Sequence, residues 1–176
     1  MGVVAGFYPH KGHFKVLHLA RKILDLGYND FKIFMRGSKV YQEYLRDIEE
    51  EINILELNNH IVFEPFEKAI TLEEIYSKFD VMLLLSEYEG FGLPVLEAQS
   101  HGVPVVCSRI AIFEEILKQS AFYVNTDFTS NEVEILIARL SDKSILAERA
   151  YAGFRNVNRF SWGKMSYETL SLYQAF

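Results

Sequence analysis

The sequence predicts an α/β fold, a parallel six-stranded sheet with helices on both faces. Two observations carry this reading. Short apolar runs alternate with longer helical patterns along the whole chain. Those short runs are continuously apolar, as in strands buried on both faces, and strand–helix–strand alternation favours parallel neighbours. The first strand reads at 3–6 and leads through the turn Tyr8-Pro9-His10-Lys11-Gly12 into a helix at 14–26. A strand at 31–35 and a helix at 40–57 follow, then a strand at 61–63 and a helix at 72–78. The apolar run from Asp80 to Leu85 gives a strand at 81–85, followed by a helix at 93–101. A strand at 104–107, a helix at 112–118 and a strand at 122–124 complete the alternation. From 130 onward the pattern is helical to the end, with Ser141-Asp142 and Ser161-Trp162 as breaks or N-caps.

Composition narrows the function. At 176 residues and 49% hydrophobic, the chain can bury one substantial core and reads as one domain, without repeats or a flexible linker. No apolar stretch is long enough for a transmembrane helix, and none reads as a secretory signal. The net charge is −6, with the acidic excess concentrated between Glu43 and Glu56, which argues against nucleic acid as a partner. A single cysteine, Cys107 at the end of an apolar strand, excludes a disulfide framework and reads as packing. A reducing, cytoplasmic setting is expected. There is no Asp-x-Asp motif, and His10, His13, His18, His60 and His101 lack metal-ligand spacing, so no metal or other cofactor is expected. His13 and His18 read as surface or packing residues.

The chemistry concentrates in Leu85-Ser86-Glu87-Tyr88-Glu89-Gly90-Phe91-Gly92-Leu93-Pro94-Val95-Leu96-Glu97-Ala98. Gly90 and Gly92 let the backbone turn tightly and lie close to a ligand with no Cβ in the way. Pro94 fits a first helical turn, where its missing N–H costs nothing. The free N–H groups of that turn face the strand's carboxyl end, where α/β sheets bind ligands and helix starts attract phosphate. Glu89 precedes the helix, and Glu97, eight residues later, lies about one turn inside it. Two carboxylates thus bracket an anion site without occupying it. That suits a ligand with a phosphate in the middle and hydroxyl-bearing sugars on both sides.

This block resembles the Glu-x7-Glu signature of retaining glycosyltransferases of the family 4 type, the group 1 glycosyltransferases with the GT-B fold. The match includes Ser86, Glu89-Gly90-Phe91-Gly92-Leu93-Pro94, Leu96-Glu97-Ala98, Gly102-Val103-Pro104-Val105-Val106 and Ser108, and the looser likeness covers most of the chain. The resemblance implies a Rossmann-like domain that is one half of a GT-B fold. In that fold a donor-binding C-terminal domain faces an N-terminal acceptor domain across a cleft. The likeness is to the donor-binding half, over 1–176, so the acceptor domain is expected elsewhere in a longer protein. The implied activity is transfer of a sugar from a nucleoside-diphosphate sugar to an acceptor hydroxyl with retention, in bacterial surface-polysaccharide assembly. The implied partners are that donor and, through the other half, a glycan or lipid-linked glycan. The whole protein is expected at the cytoplasmic side, peripheral to the inner face of the membrane. The isolated chain should bind donor and turn over little or nothing.

By the same resemblance, Glu97 would accept hydrogen bonds from both ribose hydroxyls and Glu89 would orient the donor sugar. Lys11, with the backbone N–H groups near Gly92 and Leu93, would hold the diphosphate, and Gly90 and Phe91 belong to the same donor-binding loop. Base contacts would come from the segments Arg36-Gly37-Ser38 and Glu64-Pro65-Phe66, with Gly37, Pro65 and Phe66 at the base. Matching Lys11-Gly12 to the family's Lys-Gly puts Gly6 where an arginine is usual, so either Arg36 or His10 substitutes or donor affinity is weak. Ile110-Ala111-Ile112-Phe113-Glu114-Glu115 stands where the family carries two glycines, which leaves sugar specificity open. The tail around Phe160-Ser161-Trp162 and Tyr173 resembles the family's closing helix, with Trp162 read as packing. These departures favour a second reading, a non-catalytic nucleotide-sugar-binding module or partner subunit.

Overall fold

Among the described residues six strands form one sheet, parallel throughout, in the order β3-β2-β1-β4-β5-β6. They are β1 (Gly2–Val4), β2 (Ile33–Arg36), β3 (Ile61–Glu64), β4 (Met82–Leu84), β5 (Val105–Ser108) and β6 (Phe122–Val124). This is a computed structural model that describes residues 1–38, 41–64, 70–125 and 127–174. The helices are α1 (His13–Asp25), α2 (Gln42–Ile54), α3 (Leu72–Tyr76), α4 (Leu93–Ser100), α5 (Ala111–Leu117), α6 (Ser130–Ser141), α7 (Lys143–Val157) and α8 (Trp162–Gln174), with a 3-10 turn at Pro9–Lys11. Every expected strand is present, and the ends move by one or two residues. β1 stops at Val4, yet Ala5 N–H still donates to Arg36 O (3.0 Å) and Phe7 N–H to Ser38 O (3.1 Å). The chain after β1 is therefore laced to the chain after β2.

The continuously apolar strands lie where that pattern requires, in the middle of the molecule. Val3, Ile33, Met35, Met82, Leu83, Leu84, Val105, Val106 and Cys107 are buried. Helices cover them with one apolar stripe each, such as Val16, Leu17, Ala20 and Ile23 on α1 and Tyr44, Leu45, Ile48 and Ile52 on α2. The sequence pattern extends this helix over 40–57, but Glu56 takes a left-handed φ of 55° and Leu57 N–H turns back to Ile52 O at 2.9 Å. That reversal ends the helix and buries Leu57. Both breaks expected in the tail are real. Asp142 caps α7 by accepting from the N–H groups of Ser144 and Ile145, and Ser161 Oγ accepts from Lys164 N–H (3.4 Å) at the start of α8.

Helix α7 is fastened to α4 by a buried polar network. Asn156 Nδ2 donates to Gln99 Oε1 (2.9 Å) and Ile116 O (3.0 Å), while Gln99 Nε2 donates to Ser120 Oγ (2.7 Å). Helix α8 is different: none of its described residues is buried. Trp162, read as packing, is 69% exposed, because α8 leaves the body after Phe160 and nothing described covers it. His13 is the reverse case, fully buried between Phe7 and Tyr44. Among the described residues no helix is long and apolar enough to cross a membrane.

Candidate functional site

The strand order reverses between β1 and β4: the chain moves outward from β1 through β2 to β3, then from β4 through β5 to β6. Loops after β1 and β4 therefore diverge and leave a crevice at the carboxyl edge of the sheet, the place where such sheets bind ligands. Here those two loops are tied closely together. Gly12, with φ of 73°, sits so near the end of β4 that a Cβ on it would stand 2.0 Å from Leu85 O. Glu87 N–H donates to His10 O at 2.8 Å, and Lys15 Nζ lies 3.1 Å from Glu87 Oε1. The His10 ring stacks on Tyr88, with centroids 4.5 Å apart and planes 14° apart.

Within this frame the two residues expected to do chemistry meet. Lys11 Nζ donates to both carboxylate oxygens of Glu89, each at 2.8 Å. Ser86 Oγ donates to Glu89 Oε1 at 2.8 Å, and Ser108 Oγ donates to Ser86 O, so β4 and β5 both support the carboxylate. The Glu89 side chain is only 6% exposed and that of Lys11 20%. An ion pair so far from water owes its position to those extra hydrogen bonds, since removing one partner strands the other charge. The geometry gives one oriented carboxylate and one cation at the switch point.

Glu97 lies one turn inside α4, as expected, and is positioned independently of that pair. Tyr76 Oη, from α3, donates to Glu97 Oε2 (3.0 Å) and also lies 3.1 Å from Pro94 O. Burial, and after it the Glu97 charge, pushes the Tyr76 phenol above its ordinary pKa, so it remains a donor. The other Glu97 oxygen is left to accept from elsewhere. Gly92, whose φ is 90°, is the N-cap of helix α4, with Pro94 in its first turn. Pro94 has no N–H and Val95 N–H turns back to Gly92 O (3.2 Å), which among the described residues leaves Leu93 N–H as one of the unpaired donors of this turn.

The remaining expected residues divide. Phe91 and Leu93 are exposed at the crevice, Phe91 edge-on to Phe160 at 5.6 Å. Gly92 needs its conformation, whereas Gly90 lies outside the left-handed region, and a Cβ there would meet open space. Gly37 is close to backbone, but to Ala5 O, which a Cβ would approach to 1.8 Å. Pro65 and Phe66 lie outside the described residues. Arg36 does not substitute for a cation at position 6: it is buried, and its Nε and Nη2 hold Glu64 Oε2 at 3.1 and 2.8 Å. On the β5–β6 side of Ser86, a cavity of about 450 Å³ is lined by Lys15, Ser108, Arg109, Ile110 and Asn125 among others. Among the described residues no three His, Cys, Asp or Glu side chains stand close enough to hold a metal ion.

The model of the family described as glycosyl transferases group 1 matches residues 1–155. The chain belongs to that family. An uncharacterized glycosyltransferase of Methanocaldococcus jannaschii is 26% identical over 169 residues, covering 93% of this chain and 42% of that protein. O-antigen chain mannosyltransferase B of Escherichia coli is 30% identical over 103 residues, 58% of this chain and 27% of that protein. The chain thus spans less than half the length of these curated relatives. Among solved structures, Anabaena HepE in complex with UDP-glucose superposes with a TM-score of 0.85 at 17% identity, covering 99% of this chain and 49% of that one. The C-terminal domain of a group 1 glycosyl transferase from Francisella tularensis gives 0.73 at 21% identity, covering 90% and 84%. The fold is one Rossmann-like half of the GT-B fold.

Three contributors escaped the sequence reading: Ser86 as the hydroxyl that orients Glu89, Tyr76 as the holder of Glu97, and Tyr88 as the ring beneath His10. Ser86 and Tyr88 stood inside the motif without an assigned role. Tyr76 lies 21 residues before Glu97, and no spacing rule links them.

Proposed function

We propose that this chain is the donor-binding domain of a retaining glycosyltransferase, taking sugar from a nucleoside-diphosphate sugar for transfer to an acceptor hydroxyl. The observation that carries the proposal is the Lys11–Glu89–Ser86 cluster at the β1/β4 switch point, directly before the helix that bears Glu97. Each group has a task. Glu97, steadied by Tyr76, accepts from the ribose hydroxyls with its free oxygen. Lys11 and Leu93 N–H meet the diphosphate and offset the charge that grows on it as the glycosidic bond breaks. A diphosphate reaching Lys11 competes with Glu89 for its ammonium, and the released carboxylate, still held by Ser86, turns to the sugar hydroxyls. The sugar itself fits the side of the crevice that opens past Ser86 into the cavity near Ile110.

The relatives named as mannosyltransferases of O-antigen chains support a role in bacterial surface-polysaccharide assembly, with a glycan or lipid-linked glycan as acceptor. The acceptor would be held by a further domain, a reading supported by the greater length of the relatives, of which this chain covers less than half. The whole protein would work at the cytoplasmic side, against the membrane face. Catalysis by this reading uses no metal.

The test is calorimetric titration of the chain with UDP, GDP, ADP and TDP, with Glu97→Ala alongside. One nucleotide is expected to bind, and Glu97→Ala to weaken it at least about tenfold, or about 1.4 kcal/mol. A folded wild type that binds none of them, or a Glu97→Ala protein that binds equally well, overturns the proposal.

A further inference from the structure

Lys11 alone is a poor anion site. Its ammonium is matched by both oxygens of Glu89, so the pair is neutral and has no spare charge for a diphosphate. Further donors must come from the walls of the crevice. Most described side-chain N–H donors nearby are committed: Arg36 is buried on Glu64, Lys15 faces Glu87, and Arg109 pairs with Glu114 at 2.7 Å and lies over the Tyr123 ring. His10 is not. It is next to Lys11 in the 3-10 turn, half-buried, and among the described residues its ring nitrogens have no hydrogen-bond partner.

Its ring is nevertheless fixed in place. Tyr88 lies parallel beneath it at 4.5 Å and Tyr8 stands tilted beside it at 5.8 Å. Tyr8 is in turn edge-on to Tyr41 at 5.4 Å. Stacking through the ring faces leaves the edge of the imidazole, where both nitrogens are, free to point at a ligand. The same Tyr8 ring explains why position 6 is glycine: a Cβ there would come within 2.6 Å of it and 2.9 Å of Ser38 Oγ.

We propose that His10 contacts the donor diphosphate as a second side-chain donor, beside Lys11, and that Tyr88 is a positioning residue that aims it through their stack. This inference rests on the donor-binding reading of the crevice and adds to it the group that supplies the missing phosphate contact. No bond is made or broken by His10; it binds.

The experiment titrates wild type, His10→Ala, His10→Gln and Tyr88→Leu with the nucleoside diphosphate selected above and, by NMR shift, with the matching nucleoside. His10→Ala should weaken the diphosphate at least about fivefold while leaving the nucleoside within about twofold, as expected when one charge-assisted hydrogen bond is lost. His10→Gln, which keeps an N–H donor, should recover part of that loss, and Tyr88→Leu should weaken the diphosphate alone. Diphosphate affinity unchanged in His10→Ala overturns the inference and leaves the donor-binding reading intact. Equal losses for nucleoside and diphosphate also overturn it, since His10 would then only shape the crevice. A wild type that binds no nucleoside diphosphate overturns both.

Discussion

Glu89 has three hydrogen-bond contacts on one carboxylate, two from Lys11 and one from Ser86, and this explains how a charge 6% exposed is tolerated at the sheet edge. His13, two residues after Lys11, shows the opposite treatment of a polar ring. Among the described residues neither of its nitrogens reaches hydrogen-bond geometry, although the Tyr8 backbone lies close enough to act partly against the burial. Burial lowers its pKa from 6.5 to about 4. The unfolded chain therefore takes up a proton near pH 6.5 that the folded chain refuses until about pH 4. Stability is complete above that window and falls as pH drops through it, by at most about 3 kcal/mol. His13→Phe, which keeps an aromatic ring between Phe7 and Tyr44, should remove this slope. Urea unfolding of both proteins from pH 7 to pH 5 checks it, and parallel slopes would show that His13 is not its source. At this scale the motif made Lys11, Glu89 and Glu97 legible, because their chemistry travels with local spacing. Tyr76 was illegible, because its value to Glu97 depends on how α3 packs on α4.

The elements explain why the site is rigid. Helix α1 starts against the end of β4 with only Gly12 between them, so the cation from one loop and the carboxylate from the other have fixed separation. Gly12→Ala adds a Cβ 2.0 Å from a backbone oxygen at a φ that other residues rarely adopt. It should cost at least about 2 kcal/mol and loosen the Lys11–Glu89 pair. Thermal unfolding measures the first effect and nucleotide titration the second. A variant with wild-type stability would mean the joint between α1 and β4 is not tight. Strands and helix breaks were readable because apolar runs and caps are local signals: Asp142 announces α7 through its own side chain. Ends were less readable. The stop at Ile54 depends on Glu56 entering a left-handed conformation that no glycine advertises.

For the whole molecule, the body and the last helix are distinct. The Gln99–Asn156 network fixes α7 to α4, and Gly153 allows the approach, since a Cβ there would lie 2.9 Å from the Gln99 side chain. Beyond Phe160, α8 contributes no buried residue, yet it carries Trp162, Met165, Tyr167, Leu170, Leu172 and Tyr173 exposed. Ending the chain after Phe160 should therefore leave the body folded, with an unfolding midpoint within a few degrees of the full chain, and reduce self-association. Differential scanning calorimetry and light scattering report the two. A collapse of the midpoint would mean that α8 supports the core. The parallel sheet and the switch point followed from the alternation of elements. The exposure of Trp162 did not, because an apolar sequence shows that a face needs cover and not what supplies it.

On the proposed function, the crevice between β1 and β4 is where a nucleoside diphosphate binds. The most direct test is a two-dimensional NMR titration of the isotope-labelled chain with the nucleotide identified by calorimetry. The largest shifts are expected on Lys11, Gly12, Glu89, Gly92, Leu93 and Glu97. Shifts confined to the far side of β6, around Phe128 and Arg139, or spread without a focus, would contradict it.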